Sequence, residues 1–256
     1  MVLPDLDYAP FTRPPGDPSG VLGAPRAYVA VRKRLEDLPL LSFLRDTKQG
    51  EPSLESTMVY LHSLPMCADK PVFLTMATVG DDLYWQLIEN YVYTMVKFDT
   101  VECSIVVCVS DPKCVRLCDE NFFPCFNFKS EVNPLPSVME QIGELKLFHV
   151  PRALESGVDV FMLDLDVGFL YSPMVLVKAF YATPHVDIFV QEDIIWVMNR
   201  SAAAWKTWTS QMLPNIGMFL CRGNNKTARV FSIAWGHYNN VRSHVSLFLI
   251  MNVFLE

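Results

Sequence analysis

An α/β protein with a mainly parallel sheet flanked by helices is what this 256-residue sequence predicts. Three observations carry that expectation. Apolar runs of strand length recur at 71–79, at 104–109 and within 158–170, with helically periodic segments between them. The runs are nearly free of charge, as strands buried on both faces must be. The third run ends in two carboxylates, Asp164 and Asp166, at the kind of strand end where ligands bind in such sheets.

Taken in order, residues 1 to about 24 are rich in proline and glycine and read as a linker without the apolar core of a signal peptide. Residues 28–45 place Val31, Leu35, Leu38, Leu41 and Leu44 at helical spacing, and 58–64 is a short helix or strand. The run 71–79 is a first strand, closed by Gly80-Asp81, with Asp81 or Asp82 capping a helix to Phe98. Strand 104–109 follows, then a helix opened by Asp111-Pro112 and a short aromatic strand over 122–128. A helix over 138–155 should kink or restart at Pro151 and end at Gly157. After the Asp164 strand come a helix over 172–181, strands at 186–190 and 216–221, and a helix capped by Asn224. The domain expectation is an extension over 1–66, one catalytic-type domain over 67–240 and an apolar tail over 241–256.

Composition narrows the function classes. With 51% hydrophobic residues the chain can bury a core and is not disordered. A formal net charge of −7 argues against nucleic acid as the main partner. The tail is too short to span a bilayer, which needs roughly 20 apolar residues. Seven cysteines at 67, 103, 108, 114, 118, 125 and 221 follow no zinc spacing. They read mainly as buried, unpaired core residues, with one or two disulfides open if the protein is lumenal.

Along a strand, side chains alternate, so Asp164 and Asp166 point the same way if the extended geometry persists. Two hard oxygen ligands suit Mg2+ or Mn2+, and a cation there would offset a diphosphate leaving group. The blander alternative is a pair of capping or solvated acids. A phosphohydrolase of the haloacid dehalogenase type also ends an apolar strand in Asp-x-Asp, but carries it early and follows it with Thr; here the pair lies late and precedes Val167-Gly168.

Two blocks then make the pair specific. Phe161-Met-Leu-Asp-Leu-Asp-Val-Gly-Phe-Leu-Tyr-Ser-Pro173 resembles the core motif of the nucleotide-diphospho-sugar transferase family, which includes plant cell-wall xylosyl- and arabinosyltransferases. Asn215-Ile-Gly-Met-Phe-Leu-Cys, its polar turn and a helix bearing Trp235 are similar to a second block of that family. The resemblance implies a glycosyltransferase A-type, Rossmann-like fold and a retaining transfer from a nucleotide-sugar donor, UDP-linked, to a glycan or glycoprotein acceptor. It implies Mn2+ or Mg2+ at Asp164 and Asp166, with Asp166 the more direct ligand. Thr75 and Ala77 would line the uridine pocket, Lys146 would approach the diphosphate or sugar, and Asn215 and Gly217 would shape the donor-sugar pocket. Gln191 and Asp193 would supply polar and acidic groups near the sugar. Family members are Golgi proteins held by an N-terminal membrane helix, so contact with a membrane would come only through an anchor not seen in this chain. The sequence departs from the pattern at Ile216, and after Trp235 it lacks the family's acceptor-side segment, so it reads as C-terminally truncated; the rival reading is a domain that keeps the fold and binds the nucleotide-sugar without catalysis. His237 and His244 are the candidates for a late metal-ligating histidine.

Overall fold

The computed structural model describes residues 26–46, 52–78, 82–130, 137–169, 171–198 and 208–240. The linker to Gly23, the Gly80-Asp81 turn and the tail over 241–256 lie outside the described residues. Six strands pair among those described: β1 (Val72–Ala77), β2 (Ser104–Val109), β3 (Cys125–Phe128), β4 (Val160–Leu163), β5 (Ile188–Met198) and β6 (Trp208–Cys221). They form one sheet in the order β3-β2-β1-β4-β6-β5. The pairs β3–β2, β2–β1 and β1–β4 are parallel, while β6 runs antiparallel to both β4 and β5. The sheet is thus mixed but mainly of one sense, as the alternation of strands and helices predicts.

The central strands are charge-free because helices cover both faces. Val72, Leu74 and Met76 of β1 and Val160 and Met162 of β4 fall in one core cluster. Phe73, Ala77, Phe161 and Leu163, the alternate residues, fall in the other. The first face is covered by α2 (Pro39–Asp46), α3 (Leu54–Ser63), α7 (Val150–Glu155) and α9 (Asn225–Asn240). The second is covered by α1 (Arg26–Glu36), α4 (Asp82–Lys97), α5 (Pro112–Asn121) and α8 (Met174–Tyr181). Leu40, Leu54, Met58 and Leu61, which precede β1, are at most 2% exposed and belong to the core that the sheet builds.

Capping follows the sequence closely. Asp111 accepts hydrogen bonds from the Lys113 and Cys114 amides, and Asn224 Oδ1 accepts from the Thr227 amide. Gly157 adopts φ +84° at the end of α7, a conformation that favours glycine. The helix expected over 28–45 is instead two, because Pro39 opens α2 and ends the run of α1 at Glu36. The helix over 138–155 stays continuous, as α6 (Val138–Glu144), a π-helical turn at Leu145–His149, and α7. Its irregularity precedes Pro151, where a widened turn relieves the clash between the proline ring and the carbonyl one turn earlier.

The cysteines correct the sequence reading. Cys67–Cys103, Cys108–Cys114 and Cys118–Cys125 are disulfides, and Cys221 is the free, buried thiol. Partners on different elements meet only once the sheet forms, which linear spacing cannot show. Burial holds the Cys221 thiol well above its ordinary range.

The turn from β6 to α9 is packed tightly against the start of β4. The Gly223 amide donates to Asp159 Oδ1 at 2.6 Å, and Arg222 donates from Nε to the Val186 carbonyl at 2.8 Å and from Nη2 to the Phe180 carbonyl at 2.9 Å. A Cβ on Gly223 would run into the backbone of Gly157 and Val158, which cannot swing aside as a side chain could. Gly223→Ala should therefore lower stability by about 1–3 kcal/mol, the usual cost of overpacking. Urea unfolding of the variant checks this; an unchanged midpoint would mean that the turn is not held as described.

Candidate functional site

Strand order reverses between β1 and β4: β2 and β3 extend the sheet on one side, β6 and β5 on the other. In open α/β sheets ligands bind beyond the carboxyl ends of the strands at such a reversal. The residues just beyond those ends are Thr78, half-buried, after β1, and Asp164 after β4. β4 stops at Leu163, and the Val167 amide donates to the Asp164 carbonyl at 3.0 Å, closing a turn over 164–167. Extended geometry does not persist to Asp166, so the turn and not strand alternation sets its direction. Asp166 is exposed, and the Asp164 side chain is 44% exposed.

Asp164 is held from two sides. Its amide donates to the Gly217 carbonyl on β6, next to the Leu163–Met218 pair of the antiparallel ladder. Its Oδ1 lies 2.9 Å from Lys146 Nζ, and the Lys146 side chain is 6% exposed. An ammonium buried to this degree is costly unless a charged or strongly polar partner offsets its lost hydration. Lys146 sits in the π-helical turn, on the same face of the sheet as Val160 and Met162, which strand alternation also assigns to Asp164.

The same helix contacts two further strand ends. Ser110, after β2, donates from Oγ to Gln141 Oε1 at 2.5 Å and adopts φ +48°, uncommon for a residue with a side chain. Ser130, after β3, donates from Oγ to Glu144 Oε2 at 2.6 Å. Gln141 and Glu144 are buried, as is His149, whose Nε2 lies 3.6 Å from Glu144 Oε1. The π turn brings residue 149 round toward residue 144, which an ordinary helical turn would not do. The 141–149 segment therefore ties together the carboxyl ends of β2, β3 and β4. Sequence reasoning singled out Lys146 and missed Ser110, Ser130, Gln141, Glu144 and His149. The available signal was a string of polar residues at helical spacing in a segment otherwise rich in apolar ones.

The other expected site residues are distributed as follows. Thr75 is wholly buried within β1, opposite Leu163, and its Oγ1 has no hydrogen-bond partner among the described residues. Ala77, the last residue of β1, is 3% exposed. Gln191 is exposed, and its backbone pairs with Asn215 just past an irregularity between Val190 and Gln191. Asp193 pairs with Leu213 two residues further along the same ribbon. Residues 191–193, which follow the strand expected at 186–190, instead continue β5 to Met198. Gly217 is buried beside Asp164. Lys146 faces Asp164 rather than open solvent. The side chains of His237 and His244 lie outside the described residues.

The donors at this edge are carboxylate oxygens, which fit a hard divalent cation such as Mg2+ or Mn2+. The Lys146 ion pair occupies Oδ1 of Asp164 and leaves Oδ2 outside it. Among the described residues no third His, Cys, Asp or Glu completes a protein-only cage around this pair. A cation held here would fill its shell with phosphate and water oxygens, the usual habit of Mg2+.

Comparison with known proteins agrees with this arrangement. The family model described as nucleotide-diphospho-sugar transferase matches residues 102–241, a span from before β2 through α9 that contains Lys146, Asp164, Asp166, Gln191, Asp193, Asn215 and Gly217. No curated protein matches the sequence. Among solved structures, one titled "Crystal structure of 4-diphosphocytidyl-2C-methyl-D-erythritol synthase" is similar at a TM-score of 0.38 and 12% identity, over 71% of this chain and 84% of that one. The family match spans more than half of the 256 residues and takes in every strand but β1 of a sheet with the α/β form of the glycosyltransferase A type. This chain belongs to the nucleotide-diphospho-sugar transferase family.

Proposed function

We propose that the chain is a glycosyltransferase that moves a sugar from a UDP-linked donor to a glycan or glycoprotein acceptor, with Mn2+ or Mg2+ held at Asp164 and Asp166. The observation that carries this reading is the placement of the two carboxylates beyond β4, at the reversal of strand order and inside the family-matched span. With a nucleotide-diphospho-sugar as donor, the nucleoside diphosphate is the leaving group. The cation would supply charge stabilisation for that diphosphate. Three disulfides among the described residues support an oxidising, lumenal setting such as the Golgi. No helix among the described residues is long and apolar enough to cross a membrane.

The protein's own residues do the positioning. Lys146 fixes one oxygen of Asp164, and the Gly217 carbonyl fixes its amide, so this carboxylate meets a ligand without first paying to be ordered. Exposed Asp166 reaches solvent and would make the more direct metal contact. Asn215 and Gly217 on β6, with Gln191 and Asp193 on β5, would border the sugar. Thr75 and Ala77 would underlie the uridine, with Thr78 at the open end of β1.

Calorimetric titration with UDP, with and without Mn2+, tests the donor site. Binding should require Mn2+ and weaken by about tenfold or more in Asp166→Ala, on the order of 1.4 kcal/mol. Assay of a UDP-sugar panel should release UDP and not pyrophosphate; pyrophosphate release would indicate nucleotidyl transfer, and binding without turnover would reduce the chain to a donor-binding domain. Equal UDP affinity with and without Mn2+ would overturn the metal assignment.

A double-mutant cycle of Lys146→Met and Asp164→Asn, read by urea unfolding at neutral pH, tests the positioning. The coupling should reach about 1–2 kcal/mol, because one partner is buried. The exposed Arg32–Glu36 pair, a control, should give about 0–1 kcal/mol. Equal coupling in both pairs would remove Lys146 from the role given to it.

A further inference from the structure

Four cysteines that the donor site does not use converge beneath α5. Cys108 lies near the end of β2 and Cys125 begins β3, while Cys114 and Cys118 sit one helical turn apart on α5. In the β2–β3 ladder Val106 pairs with Cys125 and Cys108 with Asn127, so the two strand cysteines occupy the same face of the sheet. That face is the one α5 covers. The two disulfides formed there, Cys108–Cys114 and Cys118–Cys125, are in contact: Cys108 Sγ lies 3.9 Å from Cys118 Sγ. The sulfurs of Cys108, Cys118 and Cys125 all lie within 4.8 Å of one another, and Cys114 is bonded to the first of them. Cys108, Cys114 and Cys118 are fully buried, and Cys125 is half-buried at the strand edge.

We propose that these four residues are a redox-gated zinc site, two disulfides when oxidised and one Zn2+ tetrathiolate when reduced. Zinc binds thiolate at about 2.3 Å in tetrahedral geometry, which sets its ligand sulfurs about 3.8 Å apart. The Cys108–Cys118 separation of 3.9 Å already meets that requirement between the two disulfides. Breaking the S–S bonds leaves each remaining sulfur beside its former partner, at the two other corners. Each disulfide takes two electrons and two protons from a dithiol reductant, which is itself oxidised to a disulfide. The four thiols then release four protons on binding Zn2+, whose oxidation state does not change. Cys114 lies in the first turn of α5, where the helix N-terminus favours a thiolate. Four thiolates fill the tetrahedral shell and leave no position for a water ligand, so the site is a structural one. Linear spacing hides it because one ligand pair comes from a helix and the other from two strands. In either state the cluster staples edge strand β3 and α5 to β2.

The test uses the full chain, reduced with a dithiol, desalted without oxygen, and titrated with Co2+ and then Zn2+. One Co2+ per chain should bind, with the thiolate charge-transfer and tetrahedral ligand-field absorption of a cobalt tetrathiolate, and Zn2+ should abolish that absorption. The oxidised chain should show none. Cys118→Ser and Cys125→Ser should lose the absorption, while Cys67→Ser and Cys221→Ser should keep it. Because a serine variant could fail to fold, alkylation of the reduced wild-type chain is mapped by mass spectrometry with and without Zn2+. Zinc-dependent protection should fall on Cys108, Cys114, Cys118 and Cys125. No metal uptake by the reduced chain, protection at other cysteines, or full uptake by Cys118→Ser would overturn the proposal.

Discussion

A cation buried in the turn of a helix governs how this sheet presents its working edge. Lys146 is 6% exposed and lies 2.9 Å from Asp164, the first charged side chain after a strand that is apolar throughout. Neither residue is free to choose another place. The ammonium is enclosed by the helix that covers one face of the sheet, and the carboxylate is fixed where β4 ends and its amide joins β6. Gln141 and Glu144 extend the same arrangement to Ser110 and Ser130, so one helical segment sets the ends of three strands, β2, β3 and β4. A ligand crevice at the reversal of strand order needs such rigidity, since small displacements at a reacting centre are costly.

Much of this fold is legible in the sequence because the strongest signals are local. The apolar run 104–109 becomes β2 without adjustment, and Asp111, Asn224 and Gly157 perform the capping their chemistry predicts. The failures have equally specific causes. Pro39 divides what Leu35, Leu38 and Leu41 make look like a single helix, and the apolar spacing continues across the break. The polar run Gln191-Glu192-Asp193 hides the continuation of β5, which pairs residues 191–198 with 208–215 of the next strand. The reversed sense of β6 is a tertiary fact that alternation of strands and helices cannot reveal.

The site divides in the same way. Asp164 and Asp166 were visible because a charge-free strand delivers them, and Gly217 because its block has a recognisable form. Lys146 was visible as a basic position, but its burial and its partner were not, since both depend on which face of the helix meets the sheet. The widened turn at Leu145–His149 is not encoded in any one residue and brings together groups that helical spacing would separate. The cysteines are the clearest case. Their spacing argued against a metal motif and against extensive pairing, whereas the fold gathers four of them from three elements.

In the proposed function, the end of β4, braced by Lys146, holds a nucleotide diphosphate and its cation. A crystal of the chain soaked with UDP and Mn2+ tests this directly through the anomalous scattering of manganese. The expected result is an anomalous peak within coordination distance of Asp166, the diphosphate against the same peak, and Lys146 still paired with Asp164. Manganese and diphosphate bound elsewhere on the sheet, or a Lys146 side chain turned away from Asp164 when the nucleotide is bound, would contradict it.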